Sequence, residues 1–357
     1  MGITKVGPLD TEVDTFHRAG PTHMMSKAGA GSKIKIDWSK EGHRRCVMSC
    51  LVKATYVMEN DILGRRLYNN DGLAPAWWES FGFRLVETFV DDSNPNDKMI
   101  FGATFELMAL SRHRSAPLYV VAFRGTMLGH YKRAQELMQD CKVIFNELRG
   151  SKRFEIAHPK VHQLIGRDAS GVWLTGHSLG ASLALDIGRD LMEIEGHNIR
   201  TFLFNPPHVS AAAPIDKVLK GDAKTGLYTT SFMLKFALGQ VMGSYRKRTK
   251  RLFERLNPWV PDMYVNRKDI ISMGHIEYFE QRQQVAKGFS RVAKTGSRLS
   301  YRDMFHSMFG AKTLKPHLLP SARLNSSTDS DAHSLRQWWK PDSRLSLSTK
   351  TYSYPHG

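Results

Sequence analysis

Between a short apolar run, Val172-Trp173-Leu174-Thr175, and a stretch with Leu179, Leu183, Ile187 and Leu191 in helical register stands Gly176-His177-Ser178-Leu179-Gly180. A strand that turns at once into a helix through Gly-x-Ser-x-Gly constrains the fold more than any other feature of the chain. Such a turn is sharp, strains its serine and projects the hydroxyl beyond the sheet edge. Side chains two residues before and after the serine would collide, so glycine fills both places. The pattern by itself is weak, since a chain this long holds one by chance about 0.1 times. Its place between an apolar strand and an amphipathic helix supplies the specificity. The competing reading is a Gly-rich turn without chemistry.

The same unit recurs along the chain. Residues 99–105, 118–123, 201–204 and 263–266 read as strands, and 118–123 is apolar throughout, as in a strand buried on both faces. Residues 41–63 and 134–148 read as helices. Ala74-Pro75 ends any continuation of the first. Strands alternating with helices predict a mostly parallel central sheet flanked by helices. Residues 1–35 are polar and Gly-rich and read as a loose segment. Residues 36–357 read as a single domain, with Lys-, Arg- and Ser-rich insertions at about 207–260 and 278–331.

If Ser178 is a nucleophile, its helpers have set stations. One oxyanion donor is the backbone N–H of Leu179, and the second lies in the turn after an earlier strand, where Phe123-Arg124-Gly125-Thr126 offers Thr126. The acid follows the serine, just past a later strand. Asp269 fits, whereas Asp262 precedes the strand and falls at its wrong end. The histidine comes last. His275 is too close to Asp269 for an intervening helix, His306 lies on an apolar helix face, and His317 precedes Leu318-Leu319-Pro320. His333 sits in a late loop before Trp338-Trp339 and is the expected base, with His306 as runner-up. A surface aspartate and a solvated histidine are the ordinary alternatives at Asp269 and His333. His177 should point away from Ser178 and receives no catalytic role. This chemistry needs no metal or organic cofactor.

Lys and Arg number 51 against 34 Asp and Glu, a formal net charge of +17. Such an excess favours anionic partners. No zinc-finger spacing, RNA-recognition signature or basic zipper accompanies it, which sets nucleic acid aside. Residues 227–243 are mostly apolar and run into Tyr245-Arg246-Lys247-Arg248-Thr249-Lys250-Arg251. That is the makeup of a lid or an anchor on an anionic membrane surface. Inward packing of the apolar residues beside a solvated basic run explains it slightly better, since apolar helix faces usually pack inward, and both readings stay open. Cys46, Cys50 and Cys141 form an odd, sparse set, which suggests free thiols in a reducing, intracellular and cytoplasmic setting, with peripheral membrane contact as a variant. No run approaches the ~20 apolar residues of a membrane span, and Val6 stands where a myristoylation motif needs Ser or Thr.

The stretches Ala74 to Trp78, Ile100 to Ala103, Val121 to Thr126, Thr175 to Ala184, Phe204-Asn205-Pro206-Pro207 and Tyr264-Val265-Asn266 together resemble the class 3 lipases. The likeness is strongest to a plant lipase-like branch of the α/β-hydrolases. Members of that branch sometimes carry the label GDSL esterase/lipase, although this chain has Gly-His-Ser-Leu-Gly in place of Gly-Asp-Ser-Leu. The resemblance implies an α/β-hydrolase fold and cleavage of carboxylic esters, with acyl lipids as the expected substrates. It also implies a Ser–Asp–His triad at Ser178, Asp269 and, through Ala332-His333 and Gln337-Trp338-Trp339, His333. The rival expectation is a lipase-like scaffold that keeps the fold and does no chemistry.

Overall fold

The computed structural model describes residues 11–25, 34–64, 66, 71–93, 98–108, 113–127, 151–166, 168–208, 243–288, 295–296, 298 and 318–354. The expected helix at 134–148, the apolar stretch 227–242, most of the basic stretch 287–302, and Cys141, His306 and His317 lie outside them.

Among the described residues, eight strands form one sheet in strict chain order: β1 (Phe83–Asp91), β2 (Met99–Leu107), β3 (Tyr119–Phe123), β4 (Val172–His177), β5 (Arg200–Phe204), β6 (Asp262–Asn266), β7 (Ala322–Ser327) and β8 (Ser348–Tyr352). β3 through β7 are mutually parallel. The β1–β2, β2–β3 and β7–β8 pairs are antiparallel. With helices on both faces, this is an α/β-hydrolase fold, as expected. The strands read from sequence are present. β1, β7 and β8 are additional.

Among the described residues the helices are α1 (Thr11–Asp14), α2 (Phe16–Ala19), α3 (Thr22–Met25), α4 (Glu41–Leu63), α5 (Ala76–Glu79), α6 (Lys152–Ile165), α7 (Leu179–Glu195), α8 (Gly243–Leu256) and α9 (Gly274–Gly288). Side-chain alternation along the parallel strands sorts the core into two layers. Trp173, Phe202, Phe204 and Tyr264 face one way and pack in the cluster that holds Val47, Leu51, Ala54 and Val57 of α4. Leu174, Leu203, Met263 and Val265 face the other way, packing in the cluster that holds Leu183, Ile187 and Leu191 of α7. Burial on both faces explains why these strands read as unbroken apolar runs. α4 has little amphipathic character because it is covered on nearly all sides: the sheet lies on one side and the 3-10 turn Leu335–Trp339 on another.

Within the stretch read as loose, residues 11–25 are packed. Phe16 meets Trp77 and Phe81 edge-on, and buried Asp14 pairs with Lys53 and Arg66. α8 carries most of the basic run. It buries Tyr245, Leu252, Phe253 and Leu256 and exposes Lys247, Arg248, Lys250 and Arg251. Among the described residues, no helix is long and apolar enough to cross a membrane.

Candidate active site

The segments that follow β3 to β7 meet through Gly125, Ser178, Asn205, Asp269 and His333 at the carboxyl edge of the sheet, where open α/β sheets place their ligands. Ser178 follows β4 directly, with φ 53° and ψ −128°, a conformation that favours glycine and stores backbone strain. Its N–H donates to the Phe204 carbonyl of β5 at 3.0 Å, which pins the turn to the next strand. The flanking glycines are steric necessities. A Cβ on Gly176 would stand 2.2 Å from the Gly180 carbonyl oxygen, and one on Gly180 would stand 2.4 Å from the Phe123 carbonyl oxygen. α7 begins immediately after the serine, at Leu179, whose N–H has no acceptor within the helix.

Asp269 lies just past β6, and His333 lies in the loop after β7. His333 Nδ1 is 2.9 Å from Asp269 Oδ2, and His333 Nε2 is 3.1 Å from Ser178 Oγ. The carboxylate can only accept, so Nδ1 carries the hydrogen and Nε2 presents its lone pair to the serine. Asp269 is buried, while the His333 side chain is 17% exposed. Burial raises the Asp269 carboxyl, but hydrogen bonds from His333, Ser272 and Asn205 outweigh it and hold the group below its ordinary range. Asp262, at the far end of β6, bonds Arg323 at 2.5 Å and has no contact with this cluster.

Three side chains unassigned from sequence brace the cluster. Asn205, itself at φ 47°, donates through Nδ2 to Asp269 Oδ2 at 2.7 Å and to the Ala332 carbonyl at 3.0 Å. Its Oδ1 accepts from Trp338 Nε1 at 2.6 Å. Gln337 donates to the carbonyls of Asp331, Ala332 and Ser334, which wraps the histidine loop around one amide. Arg45 of α4 donates to the Trp338 and Lys340 carbonyls and pairs with Asp342, clamping the turn that follows. A polar residue ending an apolar strand, as Asn205 does, is the sequence signal that points to such a brace.

The turn after β3 presses against the serine. A Cβ on Gly125 would sit 2.7 Å from Ser178 Cβ, and half-buried Thr126 follows. Buried Arg124 fixes this turn by donating to the carbonyls of Ile100 and Gly125. Ser178, Asp269 and His333 thus come together, with Gly125-Thr126 and Leu179 beside them. His275 packs instead on His208, ring centroids 4.6 Å apart. His306 is outside the described residues.

No protein-family model matches the chain. No solved structure matches it. A GDSL esterase/lipase of Arabidopsis thaliana is 34% identical over 367 residues, which cover 96% of this chain and 99% of that protein. The chain belongs to the plant esterase/lipase family of that protein.

Proposed function

We propose that this protein hydrolyses carboxylic esters through an acyl-enzyme on Ser178. The hydrogen-bonded series from Ser178 Oγ through His333 to Asp269 is the observation that carries this reading. His333 Nε2 takes the Ser178 proton as Oγ attacks the ester carbonyl carbon. The carbonyl oxygen becomes an oxyanion facing the N–H groups of Leu179 and Thr126. Collapse breaks the C–O bond, and the departing alkoxide takes the proton from His333. Water then repeats the sequence on the acyl-serine and frees the acid. Asp269 holds the imidazole tautomer and stabilises the transient imidazolium.

The order Ser–Asp–His and the elbow Gly-His-Ser-Leu-Gly support a class 3 lipase-like assignment with acyl lipids as substrates. The buried free thiols of Cys46 and Cys50 support a reducing, intracellular location. One observation favours the silent-scaffold alternative, the 3% exposure of Ser178. A serine-reactive fluorophosphonate decides between the two. The wild type should label and hydrolyse a short p-nitrophenyl ester, and Ser178→Ala should do neither, losing roughly 10⁴-fold or more in rate. Equal activity in the two proteins would sink the assignment.

The exposed basic face of α8 supports contact with anionic lipid surfaces, each cation there contributing about 1 kcal/mol. Co-sedimentation with vesicles should increase with anionic lipid and decrease with salt. It should weaken when Lys247, Arg248, Lys250 and Arg251 become Gln. Undiminished binding by that variant rules the face out.

A further inference from the structure

His177 occupies the variable place before the nucleophile, and its buried imidazole makes two hydrogen bonds. Nε2 is 2.9 Å from the backbone carbonyl oxygen of His333, and Nδ1 is 2.9 Å from the Tyr56 hydroxyl. A carbonyl can only accept, so Nε2 carries the hydrogen and Nδ1 is left as an acceptor. The Tyr56 hydroxyl must then donate to Nδ1. Its oxygen accepts the Gly125 N–H at 2.8 Å. Every hydrogen in the series is thereby assigned: Gly125 N–H to Tyr56, Tyr56 O–H to His177, His177 N–H to His333. Burial, and the nearby His333 ring after it, push the His177 imidazole down to about 3, so it stays neutral at physiological pH.

Resting on the reading of Ser178, His333 and Asp269 as the catalytic triad, we propose that Tyr56 and His177 are positioning residues. They tie the turn at Gly125 to the loop carrying His333, through the elbow that holds the nucleophile. The loop needs such a tie. Asn205 and Gln337 hold Ala332, one residue earlier, while His177 takes the backbone of His333 itself. The two rings lie 5.2 Å apart, so a neutral His177 also avoids placing a second cation beside the imidazolium that catalysis forms. Because Tyr56 engages the Gly125 N–H, the oxyanion donor from this turn falls to Thr126. α4, which carries Tyr56 and lies across the sheet from α7, becomes a structural arm of the site.

The test uses the whole chain with p-nitrophenyl butyrate as probe. His177→Leu keeps the volume and removes the donor. Its kcat should fall on the order of tenfold with KM changed by less than about twofold, as expected when a reacting group is misaimed without loss of substrate binding. His177→Gln retains an amide that can reach the His333 carbonyl and should recover kcat to within about threefold of wild type. Nitrogen-15 spectra of the wild type at neutral pH should show His177 as the neutral Nε2–H tautomer. Wild-type kcat in a folded His177→Leu overturns the proposal, as do equal losses in Leu and Gln variants or an Nδ1–H tautomer. If His177→Leu does not fold, the Gln variant and the spectra still decide. Activity surviving in Ser178→Ala sinks the triad reading, whereas an inactive Ser178→Ala beside a fully active His177→Leu sinks the positioning role alone.

Discussion

Asp262 and Asp269 are both buried, and they bracket the same strand, β6. Asp262 opens the strand at the foot of the sheet, where Arg323 and Arg200 flank it and Arg323 reaches on to Glu41. Asp269 stands past the strand's carboxyl end, where its partners are the uncharged donors of Ser272 and Asn205 together with His333. Burial dominates at the foot: the Asp262 carboxyl lies above its ordinary value although Arg323 and Arg200 pull it down. At the other end, several short hydrogen bonds outweigh the same penalty, and Asp269 lies below its ordinary value. Three hydrogen-bond donors, His333, Ser272 and Asn205, thus outweigh burial at Asp269, whereas one hydrogen-bonded guanidinium and a second nearby do not at Asp262.

The strongest way to break this contrast is Asp269→Asn. The amide cannot hold the His333 tautomer that presents a lone pair to Ser178, so kcat should fall on the order of 10⁴-fold while circular dichroism stays that of the wild type. Retention of kcat would reduce Asp269 to a second structural aspartate like Asp262.

Acid unfolding sharpens the contrast. Asp269 and His177 both have native values below their unfolded ones, with His177 moving from 6.5 to about 3. The unfolded chain then binds more protons, so the stability these groups contribute is complete above the unfolded values and is lost as pH falls. For His177 the window runs from about 6.5 down to about 3, at up to about 1.4 kcal/mol per pH unit. Urea midpoints should drop through that window, and more shallowly in His177→Gln. Asp262 acts with the opposite sign, its raised value favouring the native state on acidification. Identical pH slopes in wild type and His177→Gln would show that the buried ring contributes nothing to acid sensitivity.

The smallest effect belongs to Asp262→Asn. Burial already offsets much of its ion pairing, and Glu41 continues to hold Arg323. A stability loss of about 1–2 kcal/mol is expected, with kcat unchanged. A kcat loss comparable to that of Asp269→Asn would erase the distinction between the two ends of the strand.

Local chemistry decided what could be read in advance. β3 to β6 announced themselves because burial on both faces leaves few polar positions, as in Val172 to Leu174 and Phe202 to Phe204. β1 mixes buried, half-buried and exposed positions, β8 is largely exposed, and β7 contains Arg323, Asn325, Ser326 and Ser327, so none shows an unbroken apolar run. Their polar groups are satisfied by partners distant in sequence, such as Asp262 for Arg323 and Thr349 for Asn325. The elbow was legible because steric necessity fixes its glycines. Asp269 and His333 were legible by their order along the chain. Tyr56 was not, because its role comes from a contact many residues away, and Gln337 was not, because an amide meets its carbonyl partners only once the loop is folded.

The sheet's strict chain order has a consequence for how the protein is made. Each strand can pair with the one synthesised just before it, and none has to be threaded between two already joined. Assembly can thus follow the ribosome, yet the hydrogen-bonded series at Ser178 cannot close early. A nascent chain long enough to form the elbow still lacks β7 and the loop that carries His333. When that loop arrives, the turn beyond it closes onto the earliest segment, Trp339 Nε1 donating to the Ala19 carbonyl at 3.0 Å. The elbow is therefore in place before the hydrogen-bonded series from Ser178 through His333 to Asp269 can close, and β8 joins the sheet only afterwards.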